Sequence, residues 1–354
     1  MKKDKLKVAS LFAGVGGIDL GFEKAGFKII YANEIDPYPT QTYNLNFNLI
    51  ADNRDIYEVR ASEIPDFNVL VGGFPCQAFS IAGYREGFED KKGRGTLFFE
   101  IIRLIEEKKT IGKQPSIVFL ENVKNLKTHN KGKTFKVIIQ ALQELGYTVK
   151  SAVLNACEYG NIPQNRERIY IVGFRKDIAP ERFIFPEKTD DTKVIKDIME
   201  EHEVSSKYYL STTYLTSLKR HKERHASKGN GFGYEIREFD SVAGAIVCGG
   251  MGRERNLIID DRLTDFTPVT HIKGKVNTEY IRKLTPREWA RLQGFPNDFK
   301  LVVADTHLYK QFGNSVTVPV IRAIAEKIKV QLEKGKMETR KREEIFEQAA
   351  VAWR

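Results

Sequence analysis

Val8-Ala9-Ser10-Leu11-Phe12-Ala13-Gly14-Val15-Gly16-Gly17 joins an apolar, strand-like run to a glycine cluster that opens a helical pattern. A strand, a glycine turn and a helix in that order let the backbone approach a nucleotide-like ligand. The dinucleotide fingerprint G-x-G-x-x-G fails here, because its third glycine would fall at Asp19. A ligand without a pyrophosphate fits better, and a plain structural glycine turn is the alternative. Glu34 follows the next apolar run, Phe27-Lys28-Ile29-Ile30-Tyr31, where an acid can accept both hydroxyls of a ribose.

Outward from this unit the rhythm continues through Val69-Leu70-Val71, Ile117-Val118-Phe119-Leu120, Val149 to Leu154 and Ile169-Tyr170-Ile171-Val172. Between strands, Phe98, Ile101, Ile102 and Ile105, then Phe135, Ile138, Ile139 and Leu142, recur at helical spacing, predicting helices over 97–107 and 134–145. Strands alternating with helices imply an α/β fold with a largely parallel sheet covered on both faces. Past Phe174 the rhythm breaks at Pro180 and Pro186, charge becomes dense and glycine patches appear at 229–233 and 249–252. The expected division is 1–179 as the main domain, 180–280 as a small irregular domain, 281–332 as a return to the first, and 333–354 as a charged helical tail. Thr285-Pro286-Arg287-Glu288 supplies an N-cap, a first-turn proline and a capping-box glutamate, with Gly294 as the stop, and 319–332 reads as another amphipathic helix.

The 354 residues carry 57 Lys+Arg against 47 Asp+Glu, a net charge of +10, and 41% of residues are hydrophobic, which excludes disorder and collagen-like repeats. No run is long and apolar enough for a membrane span, and Met1 to Lys7 leads into a strand without an apolar signal core, so the expected place is the cytoplasm. A pI of 9.2 favours a polyanionic partner, most simply nucleic acid. Cys76, Cys157 and Cys248 are an odd number with no Cys-x-x-Cys pair, which argues against a disulfide framework or a structural metal. Cys157 and Cys248 are expected to be small buried hydrophobes.

Gly72-Gly73-Phe74-Pro75-Cys76-Gln77 follows a strand, which places Cys76 at a carboxyl edge as a candidate nucleophile or as one more buried thiol. A zinc deaminase would need Pro-Cys-x-x-Cys, and position 79 is Phe79. Glu121-Asn122-Val123 ends the 117–120 strand on the same edge. Gln164-Asn165-Arg166-Glu167-Arg168 precedes the last strand and offers two guanidiniums, as ligand donors or as a solvated ion-pair cluster.

These motifs, with Arg291-x-Gln293-Gly294-Phe295-Pro296 and Gln311-Phe312-Gly313-Asn314-Ser315-Val316, stand in an order that closely resembles the C5-cytosine DNA methyltransferases of the bacterial restriction-modification type. The resemblance covers roughly 6–174 and 280–330. It implies a Rossmann-like S-adenosylmethionine-dependent methyltransferase fold plus a small irregular target-recognition domain, with S-adenosylmethionine as cofactor and no metal.

On this resemblance Phe12 packs on the adenine, Glu34 holds the ribose and Asp55, followed by Ile56, reaches the adenine amino group. Gly14, Gly16, Ile35, Pro75 and Leu97 belong to the same pocket, which Asn314 and Val316 close from the C-terminal segment. Many family members carry a tryptophan where this chain has Ile35. Cys76 adds to carbon 6 of cytosine, Glu121 serves ring nitrogen 3, Arg168 holds the carbonyl oxygen, and Arg166 positions or contacts the backbone. The target base must leave the duplex. Phe79 to Thr96, with Ser80 and Arg94, is expected to close over DNA. In the 180–280 region, Lys228-Gly229-Asn230-Gly231-Phe232-Gly233-Tyr234 resembles the loop that fills the gap, through Asn230 or Phe232. Gly249 to Asn256 resembles a second loop whose Arg253 and Arg255 read guanine edges. Most members have Thr-Leu where Ala245-Ile246 stands here.

Residues 186–280 hold 15 Lys+Arg and 16 Asp+Glu, so this region is not itself basic. Lys219-Arg220-His221-Lys222-Glu223-Arg224 is a local patch that suits a phosphate backbone or a solvated helix face. The expected partners are double-stranded DNA and a cognate restriction endonuclease, and the expected state is a monomer. An RNA methyltransferase and an inactive DNA- or cofactor-binding regulator are the rival readings.

Overall fold

Short continuous apolar runs such as Val69-Leu70-Val71 and Ile117-Val118-Phe119-Leu120 give this chain a sheet buried on both faces. A computed structural model describes residues 5–74, 97–180, 183–191, 193–231, 233–249, 252–269 and 274–334. Its strands are β1 (Lys7–Leu11), β2 (Lys28–Asn33), β3 (Val69–Gly72), β4 (Ile117–Val123), β5 (Tyr147–Asn155), the two-residue β6 (Gln164–Asn165) and β7 (Glu167–Arg175). Six of these form one sheet in the order β2-β1-β3-β4-β7-β5. β1 to β4 pair in parallel, and β7 runs antiparallel to both β4 and β5. The largely parallel sheet read from the sequence is therefore present, with β7 reversed within it.

The longer helices are α1 (Gly17–Lys24), α2 (Pro37–Asn46), α3 (Leu97–Thr110), α4 (Lys133–Glu144), α5 (Thr212–Ala226), α6 (Pro286–Leu292), α7 (Asp305–Asn314) and α8 over 318–334. Val69, Val71, Ile117 and Phe119 bury one sheet face against Phe22 of α1 and Ile321, Ile324 and Ile328 of α8. Leu70, Val118 and Leu120 bury the other against Phe98, Ile101 and Ile105 of α3 and Ile138 and Leu142 of α4. Each fully buried side chain of this size contributes roughly 1.5–3 kcal/mol. The capping box at α6 is formed: Thr285 Oγ1 accepts from Glu288 N at 3.1 Å, and Glu288 Oε2 accepts from Thr285 N at 2.7 Å.

Beyond β7 the regular elements shorten. β8 (Ala243–Gly244) pairs in parallel with β6, and β9 (Leu257–Ile259) pairs antiparallel with β10 (Ile281–Lys283), joining the two sides of residue 280. Leu210, Leu215, Leu218, Leu257 and Ile281 form a small core of this region. Ile195, Ile198, Ala243, Ile246 and Ile258 instead share a core with Tyr43 of α2, Trp289 of α6 and Phe312 of α7. At the same seam Arg282 is fully buried between Asp260 and Glu288, with 2.7 Å from Nε to Asp260 and 2.8 Å from each terminal nitrogen to Glu288. Among the described residues no helix is long and apolar enough to cross a membrane. The expected tail helix lies, from residue 335 onward, outside the described residues.

Candidate active site

At the end of β1 the chain turns sharply. Phe12 has φ 55° and Gly14 has φ 58°, so a side-chain-bearing residue holds a left-handed conformation at the mouth of a cavity. Such strain persists where the surroundings over-determine it, and it clusters at functional sites. Glu34, just past β2, accepts from Gly14 N at 2.8 Å and from Asp36 N at 2.9 Å. A carboxylate offers about four lone-pair sites, so two remain for a ligand. Burial raises the Glu34 carboxyl above its ordinary range, against the two backbone donors. Gly16 serves packing instead, because a Cβ there would overlap the Phe47 ring. At Gly17 a Cβ would lie 2.7 Å from Ser315 Oγ, so the start of α1 rests directly on the C-terminal return.

The second group comes from β4 and β7. Arg168 pairs opposite Val123, and Glu121 lies two residues back along the same face. Arg168 Nε consequently sits 3.3 Å from Glu121 Oε1. Burial raises the Glu121 carboxyl, and the positive charges of Arg168 and Arg166 oppose that shift. Asn122 Nδ2 donates to Phe74 O at 2.7 Å and so fixes the chain just ahead of Pro75 and Cys76. Its place beside Glu121 in the motif was the available signal for this role.

Arg166 differs from its neighbour. It is buried, donating to Ile246 O at 2.6 Å, Gly313 O at 3.2 Å and Ser315 O at 2.7 Å. Burial, and then the charge of Arg168, lower its pKa. Gln293 holds the same return, donating to Phe312 O at 2.8 Å and Ser315 O at 3.2 Å.

These pieces enclose one cavity of about 530 Å³, within the roughly 300–1,000 Å³ range of small-molecule sites. Phe12, Gly14, Glu34, Ile35, Leu97, Asn314 and Val316 line it together with Glu121, Arg166 and Arg168. Asp55 and Ile56 are not on that wall; the Asp55 carboxylate accepts from Tyr57 N, and Ile56 is buried in the core. Pro75, Cys76, Ser80, Arg94 and Phe232 lie outside the described residues. Asn230 and Arg255 are exposed, and the guanidinium of half-buried Arg253 lies over the Tyr309 ring, 5.2 Å from its centre. The expectation of buried thiols is corrected: Cys248 is exposed and Cys157 only partly covered, because both sit at polar junctions beside Asn314 and Asn155.

Residues 6–330 match the family model of the C-5 cytosine-specific DNA methylases. The chain belongs to this family. The methylase is 53% identical over 329 residues to the Type II methyltransferase M.HpaII of Haemophilus parainfluenzae, covering 92% of this chain and 90% of that one. It is 46% identical over 331 residues to the Type II methyltransferase M.Bsp6I of Bacillus sp. (strain RFL6), covering 91% and 98%. In fold, the methylase resembles the Entamoeba histolytica methyltransferase EhMeth, with TM-score 0.71, 18% identity and coverage of 93% and 99%. The S. pombe Dnmt2 methyltransferase gives TM-score 0.69 at 20% identity, with coverage of 94% and 99%.

One part of the methylase's rim had no local signal in the sequence. Tyr38 stacks on His307 with ring centres 3.5 Å apart, and Lys310 pairs with Asp36 at 2.8 Å, so α2 and α7 clasp the cavity beside Ile35. Ile35 is 56% exposed and presents an aliphatic surface to that rim.

Proposed function

We propose that this methylase transfers a methyl group from S-adenosylmethionine to carbon 5 of a cytosine turned out of a short, specific duplex sequence. In this reading it is the protective half of a Type II restriction-modification system, a cytoplasmic monomer working beside a cognate endonuclease. The observation that carries the reading is one shared cavity, in which Phe12, Gly14 and Glu34 face Glu121 and Arg168. The kinship with proteins named Type II methyltransferases supports the choice of DNA.

The wall suits such a cofactor. Gly14 leaves open space where a Cβ would stand, the Glu34 oxygens keep acceptor capacity for a ribose, and the Phe12 ring is held at the mouth. When bound there, S-adenosylmethionine supplies an electrophilic methyl group. Carbon 5 of cytosine is a poor nucleophile, so the ring must first lose its aromaticity. The Cys76 thiolate adds to carbon 6, and the displaced electron pair makes carbon 5 nucleophilic. Glu121, a carboxyl raised by burial, shares or donates its proton to ring nitrogen 3 as charge builds. Arg168 holds the cytosine carbonyl oxygen. Once carbon 5 carries the methyl group, a base removes its proton and the electron pair expels Cys76, restoring the ring. Turning the base out of the stack costs a few kcal/mol.

The test is incubation of the full chain with S-adenosylmethionine and unmethylated genomic DNA, followed by base-resolution mapping of 5-methylcytosine, with transfer RNA in parallel. Methylation confined to one short DNA motif, and abolished by Cys76→Ala, is expected. Label in RNA alone, or transfer that survives Cys76→Ala, overturns the reading.

A further inference from the structure

Residues 186–280 are nearly neutral in sum, yet five of their 15 Lys and Arg fall within 219–228, where Glu223 is the one acid. α5 sorts these charges by face. Leu215 and Leu218 are buried and fix the inner side of the helix. Toward that side, Lys219 Nζ pairs with Glu279 at 2.6 Å, and Lys222 Nζ stands over the Tyr234 ring, 4.8 Å from its centre. At 3.6 residues per turn Arg220 and Arg224 point the opposite way, and both are exposed. Lys228 extends the row, because Lys228 N donates to His225 O at 3.1 Å and carries the turn past the end of α5. Among the described residues, the ion pairs of this stretch end with Lys219; Arg220, Arg224 and Lys228 enter none, either with Glu223 or with another acid.

Such a row does not serve the helix. Like charges four residues apart destabilise it. The helix dipole favours Arg224 in the last turn and Lys228 just beyond, but it fades within that turn and leaves Arg220 without a reason.

We propose that Arg220, Arg224 and Lys228 hold the phosphate chain of duplex DNA, so that α5 lies along the backbone beside the bases being read. The inference rests on the proposed duplex substrate. Four residues advance a helix by about 6 Å, and each DNA strand presents a phosphate about every 3.4 Å of the duplex axis, so each cation of the row reaches a phosphate of its own. The guanidiniums can take two phosphate oxygens each, and the ammonium acts as a point charge. Contacts of this kind position a protein on the duplex and carry no sequence information.

Affinity of the full chain is measured between about 50 and 200 mM salt for two duplexes, one carrying the motif that methylation mapping identifies and one of scrambled sequence. In the triple variant Arg220→Gln, Arg224→Gln, Lys228→Gln the slope of log affinity against log salt should shrink by about 0.9 for each cation removed. Binding at the low-salt end should weaken by about tenfold or more on both duplexes, leaving their ratio standing. The control is Lys24→Gln, Lys28→Gln, Lys109→Gln, an equal loss of charge from exposed positions at the edge of the sheet away from the cavity, and its slope should stay near the parent value. Urea midpoints of the triple variant should equal or exceed that of the parent, since only exposed like charges are removed. An unchanged slope, an equal fall in the control, or a loss confined to the motif duplex overturns the assignment of α5 to the backbone. A parent chain that binds neither duplex overturns the reading of DNA as substrate as well.

Discussion

Arg168 Nε stands 3.3 Å from Glu121 Oε1, a contact produced by the antiparallel register that sets Arg168 opposite Val123. The neighbouring guanidiniums do not cancel the effect of burial, and the Glu121 carboxyl stays above its ordinary range. A raised carboxyl keeps its proton to higher pH, so a rate that uses that proton falls as pH climbs through the raised value. Glu121→Gln is expected to lower kcat by about 100-fold or more and to flatten this alkaline limb. Profiles of kcat against pH for the two proteins check it. A limb unchanged in the variant removes Glu121 from the proton's path.

Glu34 is predicted to act on binding rather than on the chemical step. Glu34→Gln keeps the shape but gives up one carboxylate oxygen and the charge. Hydrogen bonds to charged groups contribute about 1.5–3 kcal/mol, so the cofactor KM should rise by roughly 10- to 100-fold with kcat nearly unchanged. Initial rates at varied S-adenosylmethionine decide this, and a fall confined to kcat would contradict it.

Asp19 is fully buried, accepting from Ser10 Oγ at 2.9 Å and Tyr43 Oη at 3.0 Å, and burial pushes its carboxyl up to about 7 from an ordinary 3.8. A folded-state value above the unfolded one means that its stabilising contribution is complete below the unfolded value and is lost as pH rises toward the folded one. That contribution is on the order of 4 kcal/mol. Asp19→Asn should therefore gain on the parent chain as pH rises from about 5 to about 8. Urea unfolding at the two values measures the gain, and a difference independent of pH would refute it.

Arg282 is the only cation in direct contact with both Asp260 and Glu288 among the described side-chain hydrogen bonds that reach Glu288. Arg282→Ala leaves Glu288 buried without its cation, while Asp260 keeps its two-point pair with Arg262, and breaking such a buried pair costs about 3–5 kcal/mol. Arg282→Lys should recover little, because one ammonium cannot reproduce a fork spread over both partners. Denaturant midpoints of the three proteins test the ordering, and a lysine variant as stable as the parent would count against it.

The parts of this molecule that were legible in its sequence are those with a local cause. The strands of the main sheet announce themselves by short apolar runs, α3 and α4 by apolar period, and α6 by its capping box. α2 contains Pro37 and Pro39 and buries only Pro39, Thr40, Thr42 and Tyr43, which is no apolar stripe. α7 ends in Phe312-Gly313-Asn314, where glycine reads as a turn although the helix continues through it. The pair Glu121 and Arg168 was found because each ends or begins a strand. The carbonyls that Arg166 holds were hidden, since Ile246 and Ser315 lie 80 and 149 residues away. The Lys310–Asp36 pair, 274 residues apart, was hidden for the same reason.

The seat of α1 on Ser315 and Val316 also imposes a timetable. Translation delivers Phe12, Gly14 and Glu34 early, and the ribosome must add the stretch to His307 before the opposing wall begins to emerge. At about 5–20 residues per second that interval is roughly 15 to 55 seconds. Throughout it the nascent chain already holds Glu34 and, later, Glu121, but has no enclosed place for a ligand between them. A chain that stops short of His307 accordingly lacks the part of the cavity wall that runs from His307 to Val316.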